Sequence, residues 1–431
     1  MIQPGVAYTL RVAASAVTDV SYKDLYTRWE KGNWRAHEID FSRDRPDWEA
    51  LTEIQRKSMR WQFAMFFNGE DSVADNLSPY IDAAPREEQK YFLATQQVDE
   101  VRHAVFFSRF FTEVLGDGES IGEALASCQP ELNWGYRQTF ARLDRMADEL
   151  RKDRSLPKFA QAITLYHIVV EGLLAQPGQH FIEDYLTRME IMPGFLSGMQ
   201  KVSADEQRHL GFGVKILSEL FAESDECKAA AAEILGEAMR YTLTVFIPPG
   251  FDRRWTEELG FTLEEIYAFG WRSFDTKMRA AGYPQEELPP AVLPIDRTLS
   301  PEQRAERMLR MIRAGLVADP SAEPESSLEA QRLLFDAVER SADMTAVDGR
   351  PIIIQWRFTD AAPWYLRIEN GSSRADQGEA PDPDVTLESD WRDWVGVSVG
   401  KADPRVAMLK RRLKPRGSLR QLWRLQKIFA Q

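Results

Sequence analysis

A five-residue phrase stands twice in the chain, as Asp99-Glu100-Val101-Arg102-His103 and as Asp205-Glu206-Gln207-Arg208-His209. Each copy follows a lone glutamate: Glu70 precedes Glu100 by 30 residues, and Glu171 precedes Glu206 by 35. Such spacings are one helix-turn-helix long, so the sequence offers Glu, Glu-x-x-His, Glu, Glu-x-x-His on four helices. That is the donor pattern of a bundle holding two metal ions in its core. On an α-helix, residues i and i+3 lie about 60° apart, which puts Glu100 with His103, and Glu206 with His209, on one face. Four carboxylates and two neutral imidazoles neutralise two divalent cations and leave coordination positions open for oxygen. Asp99 and Asp205, four residues before the histidines, are placed to hold the distal ring N–H groups.

A single Glu-x-x-His is commonplace on solvated helices. Two in the same frame are not, and the lone glutamates sit in apolar surroundings. Phe63, Ala64, Met65, Phe66 and Phe67 precede Glu70, and Ile168, Val169 and Val170 precede Glu171. A carboxylate in such a setting needs a partner, because an unpaired buried charge is costly.

At 431 residues the chain calls for two domains with room for a substantial core. The net charge of −13 argues against general nucleic-acid binding. Cys128 and Cys227 form no Cys-x-x-Cys pair and no disulfide framework. Residues 1–20 lack the basic head and apolar core of a signal peptide, and no apolar run approaches the ~20 residues of a membrane-spanning helix. A soluble, cytoplasmic protein is expected.

From 47 to 282 the periodicity is helical, with long stretches at 47–83, 85–115, 132–152, 157–188 and 193–221, and the turn Gly116-Asp117-Gly118 ending the second. Prolines at 284, 289, 290, 294 and 301 mark an extended linker, followed by helices near 301–316 and 327–344. The period then becomes two. Ile352, Ile354, Trp356 and Phe358 alternate with Ile353, Gln355 and Arg357, and Trp364, Leu366 and Ile368 follow a turn at 359–363, which predicts a hairpin. Short helices are expected near 391–397, 404–409 and 419–429. The division is 1–283, a helical domain; 284–324, a linker with a helix; and 325–431, an α+β domain.

The ligand order and spacing make residues ~20 to ~280 resemble the ribonucleotide reductase small-subunit superfamily of the ferritin-like fold. The nearer resemblance is to its small-subunit-like ligand-binding oxidases, carried by Ile39 to Arg45, Gly69-Glu70-Asp71-Ser72-Val73, Tyr166-His167-Ile168-Val169-Val170-Glu171-Gly172 and the second repeated phrase. It implies an all-α ferritin-like four-helix bundle with accessory helices, and ligand roles for Glu70, Glu100, His103, Glu171, Glu206 and His209. It implies a Mn/Fe centre, with Fe/Fe as the alternative, and dioxygen as co-substrate. It further implies an ether cross-link between Val73 and Tyr166, formed as the metals activate oxygen, and a long-chain fatty-acid-like or other lipid-like ligand. α-Helical periodicity alone does not select Tyr166, which stands five residues and about 140° from Glu171. Where radical-storing subunits carry a tyrosine one turn after the first histidine, this chain has Phe107. His167, four residues before Glu171, is read as a core histidine, with an added metal ligand as the other reading. Phe106, Phe107, Phe110 and Phe111 are read as bundle core, one or two of them lining a substrate channel.

Residues ~325 to 431 resemble a sterol carrier protein type 2 domain, a lipid-binding α+β module. The likeness runs through Ile352 to Phe358, Trp364 to Gly371, Pro381 to Leu387, Asp390-Trp391 with Trp394, Gly400 to Pro404 and the closing helix after Gly417. From Lys401 to Lys427 there are ten Lys or Arg and one acid, Asp403. This reversal of sign suits a membrane surface or an acidic carrier protein, and equally a solvated face. The expected function is an oxygen-activating dimetal oxidase acting on a hydrophobic substrate by hydroxylation, desaturation or a related two-electron C–H oxidation. The alternatives are a ribonucleotide reductase small subunit, a di-iron N-oxygenase or a non-catalytic metal and lipid binder. A homodimer is compatible with the superfamily resemblance.

Overall fold

The computed structural model describes residues 20–289, 296–317, 322–344 and 350–429. The N-terminal stretch read for a signal peptide and Pro290 and Pro294 of the expected linker lie outside them. Helix α1 (Tyr22–Gly32) starts at a capping box made by Ser21 and Asp24, and α2 (Glu53–Asn76) at one made by Thr52 and Gln55. These reciprocal side-chain bonds satisfy backbone N–H groups that a helix start leaves orphaned. Helix α3 (Glu87–Phe110) runs into a π turn, Phe111–Leu115, and stops at Gly116, whose φ of 77° lies in the left-handed region that glycine tolerates. Helix α4 (Trp134–Lys152) lies outside the ligand-bearing set.

Helix α5 is an unbroken run of three segments: Leu156–Ile163, a π-helical stretch Thr164–Ala175, and Gln176–Met189. Helix α6 (Pro193–Glu223) begins with proline at its first position. Its first N–H groups, of Gly194 and Phe195, donate to the Asp44 carboxylate at 2.9 and 2.6 Å. A distant acidic residue thus does the work of a local cap. Helices α2, α3, α5 and α6 pack as the four-helix bundle, with α4, α7 (Asp225–Thr242) and α8 (Leu263–Ala280) around it. Its interior is one apolar cluster that includes Phe63, Phe67, Phe92, Leu165, Val169 and Ile216, all fully buried. Gly213 is needed where α6 meets α5, since a Cβ there would stand 2.3 Å from that of His167.

The helix expected within the linker is α9 (Pro301–Arg313), and it is packed against α8. Ala305, Met308 and Leu309 join the bundle core, while Met311 belongs to a second apolar cluster. Arg304 donates to Asp275 at 2.7 Å from a nearly buried position. The second cluster lies under a five-stranded sheet of order β3-β2-β1-β4-β5. Strands β1 (Ile352–Phe358) and β2 (Trp364–Glu369) form the predicted antiparallel hairpin, in register at Trp356 and Trp364. Strand β3 (Ser372–Gln377) follows across Asn370-Gly371, both at positive φ as a tight hairpin turn requires. Strand β4 (Val385–Ser389) joins β1 in parallel, and β5 (Leu413–Gly417) is an edge paired to β4. Helices α10 (Leu328–Ser341), α11 (Trp391–Ser398), α12 (Pro404–Leu409) and α13 (Leu419–Ile428) complete this part, the last three at the expected places.

Strands β3 and β5 carry no alternating apolar signal. β3 buries only Ala375, and β5 contains Pro415, which an edge strand tolerates because it needs no donor on its open side. No described helix is long and apolar enough to cross a membrane.

Candidate metal centre

The six sequence-selected side chains converge in the middle of the bundle, all of them buried. They form two groups whose donor atoms lie within 4.8 Å of one another: Glu70, Glu100, His103 and Glu206, and Glu100, Glu171 and His209. Glu100 belongs to both. Its Oε2 stands 3.4 Å from His103 Nδ1 and its Oε1 3.2 Å from His209 Nδ1. Glu70 faces the first imidazole at 3.1 Å, Glu171 the second at 3.6 Å, and Glu206 Oε1 is 3.6 Å from both. This is a two-site arrangement in which Glu100 spans both sites with its two oxygens and Glu206 Oε1 stands equally far from both imidazoles.

Both imidazoles present Nδ1 to the carboxylates because Nε2 is held from behind. The holding groups are exchanged between helices: His103 Nε2–H donates to Asp205 and His209 Nε2–H to Asp99, each at 3.1 Å. The aspartates expected on the face of their own helix's histidine serve the partner helix instead, since the repeated phrases face each other across the bundle. Trp34 donates to Asp205 at 2.8 Å and Trp29 to Asp99 at 2.9 Å. Arg208 bridges the two aspartates at 2.8 and 2.7 Å, and Arg102 also contacts both. The arginines of the repeat therefore neutralise its aspartates, leaving the glutamates to face a cation.

Burial raises the pKa values of Glu70, Glu171 and Glu206, well above the ordinary range for the first two, because charge is disfavoured away from water. Burial also acts on Glu100, but His209 and His103 outweigh it and hold this carboxyl well below the usual range. The two imidazoles are pushed well up: burial opposes this, but Glu70 for His103 and Glu100 for His209 prevail. The Asp205 carboxyl is lowered despite burial, by His103 and Arg208. Among the six candidate ligand side chains, three buried atoms have no hydrogen-bond partner: Glu171 Oε2, Glu206 Oε2 and His209 Nδ1. Buried unsatisfied polar atoms of this kind require an explanation, and a divalent cation bound by carboxylate and imidazole supplies it. The donor set fits Mn or Fe.

The π-helical stretch decides what else reaches the site. In a π-helix the bonding is i→i+5, so residues five apart come onto a common face. Tyr166 therefore joins Glu171: Gln96 Nε2 donates to Tyr166 Oη at 3.0 Å and to Glu171 Oε1 at 2.7 Å, and Tyr166 Oη–H donates to Glu100 Oε1 at 2.7 Å. His167 is not brought to the carboxylates. Its Nε2 meets Gln96 Oε1 at 3.2 Å, and burial lowers its pKa to about 3. It belongs to neither ligand group, and the reading of it as an extra ligand is set aside.

A cavity of about 60 Å³ opens over the glutamates. Its floor is Glu70, Glu100, Glu171 and Glu206; Val73 and Tyr166 are both on its lining; its apolar walls include Phe66, Phe140, Val170, Leu174 and Phe246. This corrects one expectation. Phe106, Phe107, Phe110 and Phe111 all point into the core, stacked on Phe195, Phe63 and each other, and line no part of this cavity. The aromatic walls come from α2, α4 and the segment after α7. Phe140 and Phe246 carried no spacing signal relative to the ligands, so sequence reasoning missed them. Sequence reasoning also missed Gln96, one turn before Glu100, and Lys277. The Lys277 ammonium donates to Gln176 and Ser273, and burial lowers its pKa to about 7.

Fold and site together define a ferritin-like protein with a candidate carboxylate-bridged dimetal centre. Residues 12–244, more than half of the chain, match the family described as ribonucleotide reductase, small chain, and the chain belongs to that family. Residues 330–430 match the SCP-2 sterol transfer family. Among solved structures, a variant of an R2-like ligand-binding oxidase with anaerobically reconstituted Mn/Fe cofactor is 24% identical, with a TM-score of 0.53 over 61% of this chain and 93% of that one. An R2-like ligand-binding oxidase with aerobically reconstituted metal cofactor after photoconversion is 22% identical at the same TM-score and coverage. At such identities the likeness is one of fold.

Proposed function

We propose that the protein is an oxygen-dependent dimetal oxidase of a hydrophobic, lipid-like substrate, with Glu70, Glu100, His103, Glu171, Glu206 and His209 holding Mn/Fe, or Fe/Fe as the alternative. The reading rests on one observation above all: an apolar cavity has four glutamates as its floor and Val73 and Tyr166 on its wall. A bound Mn/Fe or Fe/Fe pair supplies dioxygen activation and two-electron oxidation of a C–H bond.

The chain's own part is positioning and exclusion of water. Phe66, Phe140, Leu174 and Phe246 give an acyl chain an apolar lodging and keep bulk water from the glutamates. Asp205 and Asp99 fix the imidazole tautomers, and Gln96 fixes Tyr166 and Glu171 together. Tyr166 Oη holds its proton through burial and the neighbouring carboxylates, Glu100 first, and passes it on only when the phenol is oxidised. Joining Val73 carbon to Tyr166 oxygen removes one hydrogen from each, two protons and two electrons in all, and dioxygen would take up both the protons and the electrons. Phe107, stacked on Phe66 and Phe67, offers no phenol for radical storage. Residues 1–283 form the oxidase unit, residues 284–324 the connection, and residues 325–431 a lipid-carrying unit that raises the substrate's effective concentration. The basic C-terminal segment gives that unit a face for an anionic partner.

The test is aerobic reconstitution with Mn(II) and Fe(II), with intact mass and metal content measured before and after. A loss of two hydrogens mapping to the peptides of Val73 and Tyr166 is expected. Full metal loading without that loss refutes the cross-link. Full loading with no oxygen consumption in the presence of long-chain carboxylates refutes the oxidase.

A further inference from the structure

The two most exposed large apolar side chains among the described residues lie in one basic segment of this acidic protein. Leu419 is 88% exposed, Leu409 85% and Trp423 60%, and Val406 and Met408 are also exposed. All five lie on α12 and α13, in the stretch 401–427 that carries ten Lys or Arg against one acid in a chain of net charge −13. The apolar residues are more than the fold requires. In α13, Leu422 and Leu425 pack against the second apolar core and Ile428 is buried in it, at helical spacing; Leu419 and Trp423, four apart, stand on the other side. Lys427 places its ammonium 3.8 Å from the Trp423 ring centroid. Exposed leucines, an exposed tryptophan and surrounding Lys and Arg make up the face of an element that lies in a membrane interface.

We propose that the segment formed by α12, β5 and α13 docks the protein on an anionic lipid surface, Leu409, Leu419 and Trp423 entering the acyl boundary and the basic side chains meeting lipid phosphates. Charge complementarity favours this occupant. Lys410, Arg411, Lys414 and Arg420 are exposed around the apolar residues, whereas the rest of the chain is acidic and is repelled by the same surface. Leucines exposed to this degree on two short helices suit a deformable bilayer, which accepts isolated apolar side chains without a matching groove. Edge strand β5 also carries Lys414 and Arg416 on its exposed positions, which keeps a second copy from adding to the sheet. The inference needs no metal and no assumption about the reaction, so its fate is separate from that of the oxidase.

The full-length protein is tested by flotation with vesicles of phosphatidylcholine alone and of phosphatidylcholine with phosphatidylglycerol. Binding to the anionic vesicles, weakened by added salt and accompanied by a blue shift of tryptophan emission, is expected. The double variant Leu419→Ser with Trp423→Ser loses at least about tenfold in vesicle affinity, and so does Lys410→Gln with Arg411→Gln and Lys414→Gln, at about one decade or less per charge near an anionic surface. Tyr91→Ser, an equally exposed aromatic on α3, leaves binding unchanged and controls for unspecific adhesion. Circular dichroism establishes that each variant is folded. The proposal is overturned if folded wild-type protein ignores anionic vesicles, whether because it binds an acidic polypeptide instead or because Trp423→Ser dissolves a dimer. It is also overturned if the variants bind as well as the wild type.

Discussion

Glu100 stands between the two ligand groups, and its replacement separates a shared site from two independent ones. One of its oxygens faces His103 at 3.4 Å and the other His209 at 3.2 Å, while Glu70 belongs to the first group alone and Glu171 to the second alone. The change Glu100→Gln keeps the side-chain volume and removes one negative charge. Two unit charges ~4 Å apart at an effective dielectric of ~20 interact by about 4 kcal/mol, and at ~1.4 kcal/mol per decade this weakens each cation by about a thousandfold. Glu100→Gln should therefore lose both ions at once. Glu70→Gln and Glu171→Gln should each keep one ion per chain at close to wild-type affinity. The assay is metal content by plasma mass spectrometry after reconstitution and desalting, with near-ultraviolet circular dichroism to establish folding. The geometry derived for Glu100 is refuted if folded Glu100→Gln retains two ions, or if it loses no more than Glu70→Gln does.

Without metal, the raised pKa values of Glu70, Glu171 and Glu206 mean that the folded state holds protons the unfolded chain gives up near 4.5. Stability from these groups is full below that value and is lost as pH rises through their folded values, so the apoprotein should melt higher near pH ~5 than near pH ~8; metal loading should release protons and reverse the trend. Melting curves with and without Mn(II) and Fe(II) decide it. Asp205→Asn leaves His103 without its anionic support and should lower affinity at that ion about 10–100-fold, with the His209 site little changed, as competition titration would show. Lys277 has a folded value of about 7 against 10.5 unfolded, so burying it as a cation costs stability below the folded value, and that cost disappears as pH rises between the two. Lys277→Met should therefore help the apoprotein more near pH ~6 than near pH ~9, by about 1–2 kcal/mol after allowance for its partly exposed stem. Equal effects at the two pH values would contradict the shift.

The doubled DExRH phrase with Glu70 and Glu171 is legible because side-chain direction on a regular helix follows from spacing. The hairpin of β1 and β2 is legible because apolar residues alternate with period two. Strands β3 and β5 are not, since their residues are polar and their place comes from pairing with β2 and β4. The cavity walls are hidden for a related reason: Phe66, Phe140 and Phe246 come from α2, α4 and the turn after α7 and meet only through packing.

Sequence by itself determined the bundle, the six candidate donors, the repeat and the sign of the C-terminal segment, all of which depend on residue identity at short range. Tertiary structure alone decided which aspartate serves which histidine, because the two phrases meet across the bundle and each carboxylate reaches the opposite helix. It also decided the roles of Tyr166 and His167. Regular α-helical counting leaves Tyr166 off the face of Glu171; the π-helical stretch lowers the angle per residue and brings the phenol round to Glu100, while the His167 imidazole meets Gln96.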